Sequence, residues 1–302
     1  MSTPLVSVVI CVYNGAEYLR QSIESALAQT HPSVEVVVVN DGSTDDSDSI
    51  CRSYFGRIVY LSQKNQGLAK ARNRGIRESS GTHIALLDQD DFWVPDKLEK
   101  QMALFGRIPE LGLVYSDSAQ IDPAGRVRLP RIEGINMRRG YVLPELYDHN
   151  FISSLTAVCP RRILDHVGLF SEDLRFSLDW DLWLRIAHKY PLDFVDEPLA
   201  GWRWRPNHAE DNHEICLVEA YRIISTRHPY LSDKLTPEQN AGVANRLARI
   251  SFSLGRLYKE RGDIGKSVHW LRTSIDHDDF SPDQHQILEE VVPHLESSVR
   301  PT

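Results

Sequence analysis

The chain has 302 residues, 41% hydrophobic and 25% charged, which is enough apolar material for one large domain with an appendage or for two domains. Its formal net charge of -8, with no block rich in lysine and arginine, argues against general nucleic-acid binding, so an anionic ligand has to be caught locally. Four cysteines without paired spacing disfavour a zinc site or a disulfide framework and fit a reducing cytoplasm; no apolar segment is long enough to cross a bilayer, and the N-terminus lacks a signal-type apolar core.

Val6–Tyr13 is a continuous β-branched run, apolar on both faces, and reads as a strand of a buried parallel sheet that ends at Asn14-Gly15. Leu19, Ile23, Ala26 and Leu27 then share one helical face, which His31-Pro32 stops. Val34–Val39 repeats the buried-strand pattern and breaks at a polar turn from Asn40 to Asp45, rich in helix-capping residues. Ile58–Leu61 is a short third strand. Gly67–Ser79 is a helix with Leu68, Ala71, Gly75 and Ile76 facing inward and Lys70, Arg74 and Arg77 outward. His83–Trp93 is an apolar run that ends in Asp88, Asp90 and Asp91, ahead of a helix beginning at Pro95. Strands alternating with helices predict a doubly wound α/β domain over roughly the first 110 residues.

Parallel topology gathers the strand ends on one edge of the sheet, where ligands of open α/β sheets bind, so Asn14, Asp41 and the acidic cluster become neighbours. Three acids at the end of an apolar strand repel one another and need a cation or solvent to compensate them. Hard oxygen donors suit Mg²⁺ or Mn²⁺, whose shells are completed by phosphate and water; an acidic strand-to-helix turn explains the same residues without a metal. Asp41 can accept hydrogen bonds from a nucleobase edge or simply cap its turn, and Arg72 can reach a phosphate or lie on a solvated helix face, the latter disfavoured by its position among the inward-facing Ala71 and Gly75. A G-x-G-x-x-G or Walker loop is missing, which excludes a standard dinucleotide or P-loop site.

Beyond residue 110, Gly112–Asp122 suggests a strand, Pro123-Ala124-Gly125 a turn, and Arg126–Tyr141 a basic loop that is mobile or substrate-facing. Ile152–Val158 is read as an edge strand, and Trp180–Tyr190 as a helix buried through Leu182, Trp183, Ile186 and Ala187. Asp179 and Asp181 stand at its start, where an acid is favoured by capping and by the helix dipole; the functional alternative is a general base, and only one of two acids flanking Trp180 can face a substrate. Trp202-Arg203-Trp204-Arg205 is either a sugar-stacking, phosphate-holding run or partly buried aromatics beside surface arginines. Residues 214–302 are helical in every window. Leu254-Gly255, Tyr258 and Gly262-Asp263 resemble the first helix and turn of one tetratricopeptide unit, with Pro282 near its end and Ser267 and Ser274 where alanine is usual. The predicted divisions are 1–110, 111–213 and 214–302.

The strings VSVVICVYNGAEYL, VVVVNDGSTDDS, NQGLAKARNRGI, IALLDQDDFW, VGLFSEDL and LDWDLWLRIA, in this order within residues 5 to 205, resemble the family 2 glycosyltransferases of GT-A fold. The resemblance implies an inverting enzyme that moves a sugar from a nucleotide-diphosphate-sugar, a UDP-sugar favoured, to a saccharide or glycolipid hydroxyl, in cell-surface polysaccharide or glycolipid synthesis. It implies that Tyr13, Asn14 and Asp41 line the nucleoside pocket, and that Arg72, Asp88, Arg203 and Arg205 serve the donor. Asp90 and Asp91 fall to a divalent metal, Mn²⁺ or Mg²⁺, with Asp90 the direct ligand, and Asp179 to the catalytic base. Departures from the family pattern are Cys11 where proline is common, Leu178 where a glutamate precedes the base, and Arg205 where a histidine often stands near the metal; His208 is either its substitute or, the preferred reading, a surface histidine. The Gln-x-x-Arg-Trp signature and the membrane helices of processive relatives are missing, which favours single additions. The rival reading is a non-catalytic nucleotide-sugar or partner-binding protein acting through its helical tail; a nucleotidyltransferase would need a basic Gly-rich loop. The tail fits a homo-oligomer or docking on a membrane-bound assembly, so the expected location is cytoplasmic or peripheral at a membrane.

Overall fold

The structure, a computed structural model, describes residues 3–131, 136–204 and 212–277. Four parallel strands, β1 (Val6–Val12), β2 (Val34–Asn40), β3 (Val59–Ser62) and β4 (His83–Asp88), form one half of a sheet in the order β3-β2-β1-β4. The sheet continues from β4 through β8 (Val158–Pro160), β6 (Leu113–Ile121) and β9 (Leu192–Arg203) to β5 (Phe92–Trp93), and β7 (Val127–Leu129) hairpins onto β6. The sheet is mixed: β8 runs antiparallel to both β4 and β6, whereas β9 is parallel to β6 and antiparallel to β5.

Alternation along the buried strands explains the layers. Val6, Val8, Ile10 and Val12 face α1 (Ala16–Leu27), α2 (Ser47–Arg52) and α4 (Lys97–Arg107), where they join Leu19, Ile23, Ile50, Leu98 and Met102 in one core. On the other face Val37 and Val39 meet Ala71 of α3 (Leu68–Glu78). Gly75 lets α3 lie close, since a Cβ there would come 2.4 Å from Val9 Cγ1. Leu68, expected to face inward, is instead 39% exposed, because it is the first residue of α3 and precedes the turn that reaches the sheet.

The expected edge strand over Ile152–Val158 is corrected: the segment holds a 3-10 turn, Ser154–Thr156, and the short β8 lies in the middle of the sheet with its three residues buried. A strand this short has too little pattern to reveal its place, and the pairings that fix it, His83 with Pro160 and Val114 with Val158, are long-range. The basic loop is more structured than expected. It contains β7, and Arg126, Arg131 and Arg139 are paired with Asp122, Asp196 and Asp193; residues 132–135 lie outside the described residues. Next come α5 (Leu143–Asp148), α6 (Arg161–Val167) and α7 (Leu178–Ala187).

The chain divides into two compact units, one made of Met1–Leu146 with Asn150–Pro206 and the other of Tyr147–His149 with Asn207–Thr302. In the second, α8 (His213–Leu231), α9 (Pro237–Glu260) and α10 (Ile264–His277) follow one another. The α9/α10 hairpin turns at Gly262, which has φ 75°. Ser267 and Ser274, both fully buried, donate across it to the carbonyls of Gly255 and Ala248 at 2.8 and 2.7 Å, so each hydroxyl ties the helices together where alanine would only pack. Pro282 lies outside the described residues. No helix among the described residues is long and apolar enough to cross a membrane.

Candidate active site

Strand register sets the site. Val12 pairs with Asn40 and Cys11 with Asp88, so Tyr13, Asp41 and Gln89 emerge side by side at the carboxyl edge of the sheet. Asn14 follows in the left-handed region at φ 49°, a conformation that asparagine tolerates better than most side chains. Its side-chain oxygen accepts the Thr44 N–H at 2.8 Å, which joins the turn after β1 to the turn after β2. Tyr13 is 49% exposed at the mouth. Asp41 is buried, and its carboxylate accepts three bonds from the segment leading into α3: Gln63 Nε2 at 2.7 Å, Gln66 N at 2.9 Å and Gly67 N at 2.8 Å. Asp41 therefore ties the turn after β2 to the segment that enters α3.

Arg72 reaches the same edge from beneath. It is 5% exposed, and its guanidinium donates to Asp88 Oδ1 at 2.7 Å and to Ser154 Oγ at 3.2 Å, above the ring of Phe170. Burial opposes its charge, but the negative potential of Asp88, and after it that of Asp179, outweighs burial and holds its pKa above the ordinary arginine value. Cys11, packed against α3, is pushed up to about 12 by burial and remains a neutral thiol.

The three acids after β4 separate into different environments. The Asp88 side chain is 37% exposed and bonded to Arg72, and Asp90 is half-buried. Asp91 is buried: Oδ1 accepts the Arg203 N–H at 2.8 Å, and its own carbonyl accepts from Ser22 at 2.7 Å. Burial, reinforced by the like charges of Asp88 and Asp90, raises the Asp91 pKa well above the carboxylate range despite the Arg203 N–H. Asp88 and Asp90 are thus two hard oxygen donors at one strand end, the number Mg²⁺ or Mn²⁺ uses when phosphate and water fill the remaining positions, so the donor set fits such a cation. No group of three or more His, Cys, Asp or Glu able to hold a metal occurs among the described residues.

Arg203 was expected to serve the donor, and its surroundings are different. It is 3% exposed, and its guanidinium donates to the carbonyls of Asp90, Asp122 and Pro123 and to Gln21 Oε1, over the ring of Tyr18. Its donors are engaged inside the protein, where Arg203 staples the end of β9 to the acidic turn. Arg205 and His208 lie outside the described residues.

Asp179 and Asp181, both in the first turn of α7, diverge as expected. Asp181 is buried against Ser171 and Arg185, and Arg185 in turn donates to the carbonyls of Val167, Gly168 and Leu169. Asp179 is half-buried, accepts the Trp180 N–H at 2.8 Å and Asn150 Nδ2 at 3.3 Å, and lies within the fields of Arg72 and Asp88. Burial raises its pKa, with Arg72 pulling the other way. Sequence reasoning missed Ser154, Asn150, Gln89 and Asn73. Asn73 is buried and exchanges bonds with the backbone of Phe170 at 2.9 and 3.0 Å, fastening the VGLFSEDL segment to α3. No local pattern signals a polar residue whose partner is 97 positions away.

Known proteins resemble this chain in sequence and in fold. The sequence profile described as glycosyl transferase family 2 matches residues 7–167. A curated relative, the uncharacterised glycosyltransferase RP339 of Rickettsia prowazekii, is 35% identical over 202 residues, covering 65% of this chain and 63% of its own. The chondroitin synthase of Escherichia coli is 30% identical over 203 residues, covering 64% of this chain and 28% of its own. The chain therefore spans less than two thirds of the length of these relatives. Among solved structures, Staphylococcus aureus TarS residues 1–349 superposes with a TM-score of 0.66 at 18% identity, over 94% of this chain and 83% of that one. Its complex with UDP-GlcNAc gives 0.60 at 17%, over 94% and 90%. The mannosyltransferase PcManGT of Pyrobaculum calidifontis, in complex with GDP-Man and Mn²⁺, gives 0.61 at 16%, over 96% and 80%. The mixed sheet with flanking helices is the fold of these glycosyltransferases, as the sequence led one to expect, and the chain belongs to glycosyl transferase family 2.

Proposed function

We propose that the chain transfers a glycosyl group, with inversion, from a nucleotide-diphosphate-sugar to an acceptor hydroxyl. The observation that carries this is the convergence of Tyr13, Asn14, Asp41, Arg72, Asp88, Asp90 and Asp179 on one sheet edge, with the buried Arg72 bonded to Asp88 and in the field of Asp179. Tyr13 and Asn14, with Asp41 behind them, receive the nucleoside, and Arg72 and Asp88 face the diphosphate. Asp90, with Asp88 beside it, would hold a divalent metal; Asp91, buried on the Arg203 backbone, supports the turn in this reading. When bound, Mn²⁺ or Mg²⁺ would offset the negative charge of the diphosphate.

Asp179 accepts the acceptor's hydroxyl proton as that oxygen forms its bond to the anomeric carbon, and the bond to the nucleoside diphosphate breaks on the opposite face. Asn150 and the Trp180 N–H both donate to Asp179 Oδ1, leaving Oδ2 for the proton. A UDP-sugar is the favoured donor and a saccharide or glycolipid the acceptor, in surface polysaccharide or glycolipid synthesis. The test has two arms. Calorimetry with UDP, GDP, dTDP and CDP, each with Mn²⁺ and with EDTA, should single out one nucleotide whose binding needs the metal. Asp179→Asn should retain that binding and lose about 10²–10⁴-fold in turnover, the usual contribution of a general base. Failure of all four nucleotides to bind would return the chain to the class of non-catalytic partner-binding proteins.

A further inference from the structure

Gln89 stands between Asp88 and Asp90 and has no place in the donor set, yet its side chain does not point idly into solvent. Its amide reaches across to the neighbouring strand end, where Oε1 accepts the Tyr13 N–H at 2.8 Å and Nε2 donates to the Tyr13 carbonyl at 3.4 Å. The last backbone register pair between β1 and β4 is Cys11 with Asp88, so the Gln89 side chain prolongs the ladder beyond the point where the two main chains part. Gly15 is matched to this arrangement, because a Cβ there would lie 2.3 Å from Gln89 Oε1. From the β2 side the same turn is gripped by Ser43 on Asn14 N, Ser47 on Gly15 N and Asp45 on Ala16 N. The nucleoside-side turn is therefore fixed twice, and its only side-chain bonds toward β4 come from Gln89 among those seen at Tyr13, Asn14 and Gly15 in the described residues.

We propose that Gln89 is a positioning residue that straps the Tyr13–Gly15 turn to the carboxylates after β4, so that the pocket for a nucleoside diphosphate keeps its base-side and phosphate-side walls in register. The proposal rests on the donor-site reading above. An amide is the side chain that suits the position: it both accepts and donates, and it adds no charge beside three acids.

The experiment uses the full chain as wild type, Gln89→Ala and Gln89→Glu; the glutamate keeps an acceptor for the Tyr13 N–H. Hydrogen exchange of the Tyr13 amide is read without ligand, with the Val8 and Leu86 amides as reporters of an intact sheet. Affinity for UDP, GDP, dTDP and CDP is read by calorimetry in Mn²⁺. Gln89→Ala should speed exchange at Tyr13, leave Val8 and Leu86 protected, and weaken the nucleotide that binds by about two- to tenfold, the scale of one lost hydrogen bond. Gln89→Glu should restore protection of Tyr13. Equal exchange at Tyr13 in wild type and Gln89→Ala overturns the strap, and so does faster exchange with unchanged affinity. If Gln89→Ala loses protection throughout the sheet, the glutamate variant decides, and an unprotected Tyr13 there also overturns the strap. Absence of nucleotide binding in the wild type refutes the donor-site reading instead, while the exchange comparison still judges the contact.

Discussion

Asp179 and Asp181 are two positions apart, which on a helix turns their side chains roughly 200° away from each other, and this angle assigns them opposite tasks. Asp181 faces inward onto Arg185, whose other donors hold the carbonyls of Val167, Gly168 and Leu169. Asp181→Ala removes the buried carboxylate that pairs with that guanidinium, and unfolding free energy should fall by about 3–5 kcal/mol, measured in denaturant. Asp179→Asn should leave it unchanged or slightly raised, since the side chain replaced is a carboxylate that burial already disfavours as an ion. Equal losses in both variants would mean that Asp179 serves the fold. At this scale the sequence revealed residue types and their order, and the divergence of the two acids followed from helical geometry alone. It did not reveal Arg203, because an arginine in an aromatic run reads the same whether it faces a phosphate or the carbonyls of Asp90, Asp122 and Pro123. Gln89 was invisible for a related reason: its partner, Tyr13, is 76 residues away.

Arg72 is delivered by α3, and the depth to which α3 sinks onto the sheet is set by Gly75, one turn further along the same face. A Cβ at Gly75 would come 2.4 Å from Val9 Cγ1 and 3.1 Å from Val39 Cγ2, both within a packed core. Gly75→Ala should lift the helix, cost about 1–3 kcal/mol of stability, and weaken nucleotide binding by displacing Arg72 from Asp88. Gly106→Ala is the opposite case. Gly106 lies in α4 with nothing within 4 Å of its would-be Cβ, so the alanine should stabilise by about 0.5–1 kcal/mol through helix propensity and leave binding alone. Thermal unfolding and nucleotide calorimetry on the two variants test both signs; a stabilising Gly75→Ala would mean that α3 is not wedged against β1. The parallel half of the sheet was legible because β1, β2 and β4 are long apolar runs separated by polar turns and helices. The other half was not: β8 has three residues, and β9 carries exposed Asp196 and Glu197 in its middle, so neither shows a strand's alternation. Their places are fixed by partners far away in the chain, such as Phe92 with Gly201, where the absence of a Cβ admits the aromatic ring.

On the scale of the whole molecule, one buried amine bears on the balance between the folded and unfolded states. Lys97, at the start of α4, is completely buried; its Nζ donates to Gln101 Oε1 at 2.8 Å and lies 4.0 Å from the centre of the Trp93 ring. Two effects compete. Desolvation of an ammonium costs several kcal/mol, whereas a desolvated cation over tryptophan gains about 2 kcal/mol, so burial should win and hold the Lys97 pKa well below its ordinary value. Between that depressed value and the ordinary lysine value the folded state carries a neutral amine while the unfolded chain keeps its proton. Because the unfolded state binds more protons, stability rises with pH from the depressed folded pKa up to the ordinary lysine value, by at most about 1.4 kcal/mol per pH unit for one full proton. Comparison of wild type with Lys97→Met isolates this term. The methionine also leaves Gln101 Oε1 unpartnered, but that penalty does not vary with pH, so it offsets the two stability curves without tilting either. In denaturant titrations at pH 7, 8 and 9, wild type should gain on Lys97→Met with each step. Parallel curves would show that the Trp93 ring and Gln101 keep Lys97 charged in the core, and that the cation over the ring outweighs its desolvation.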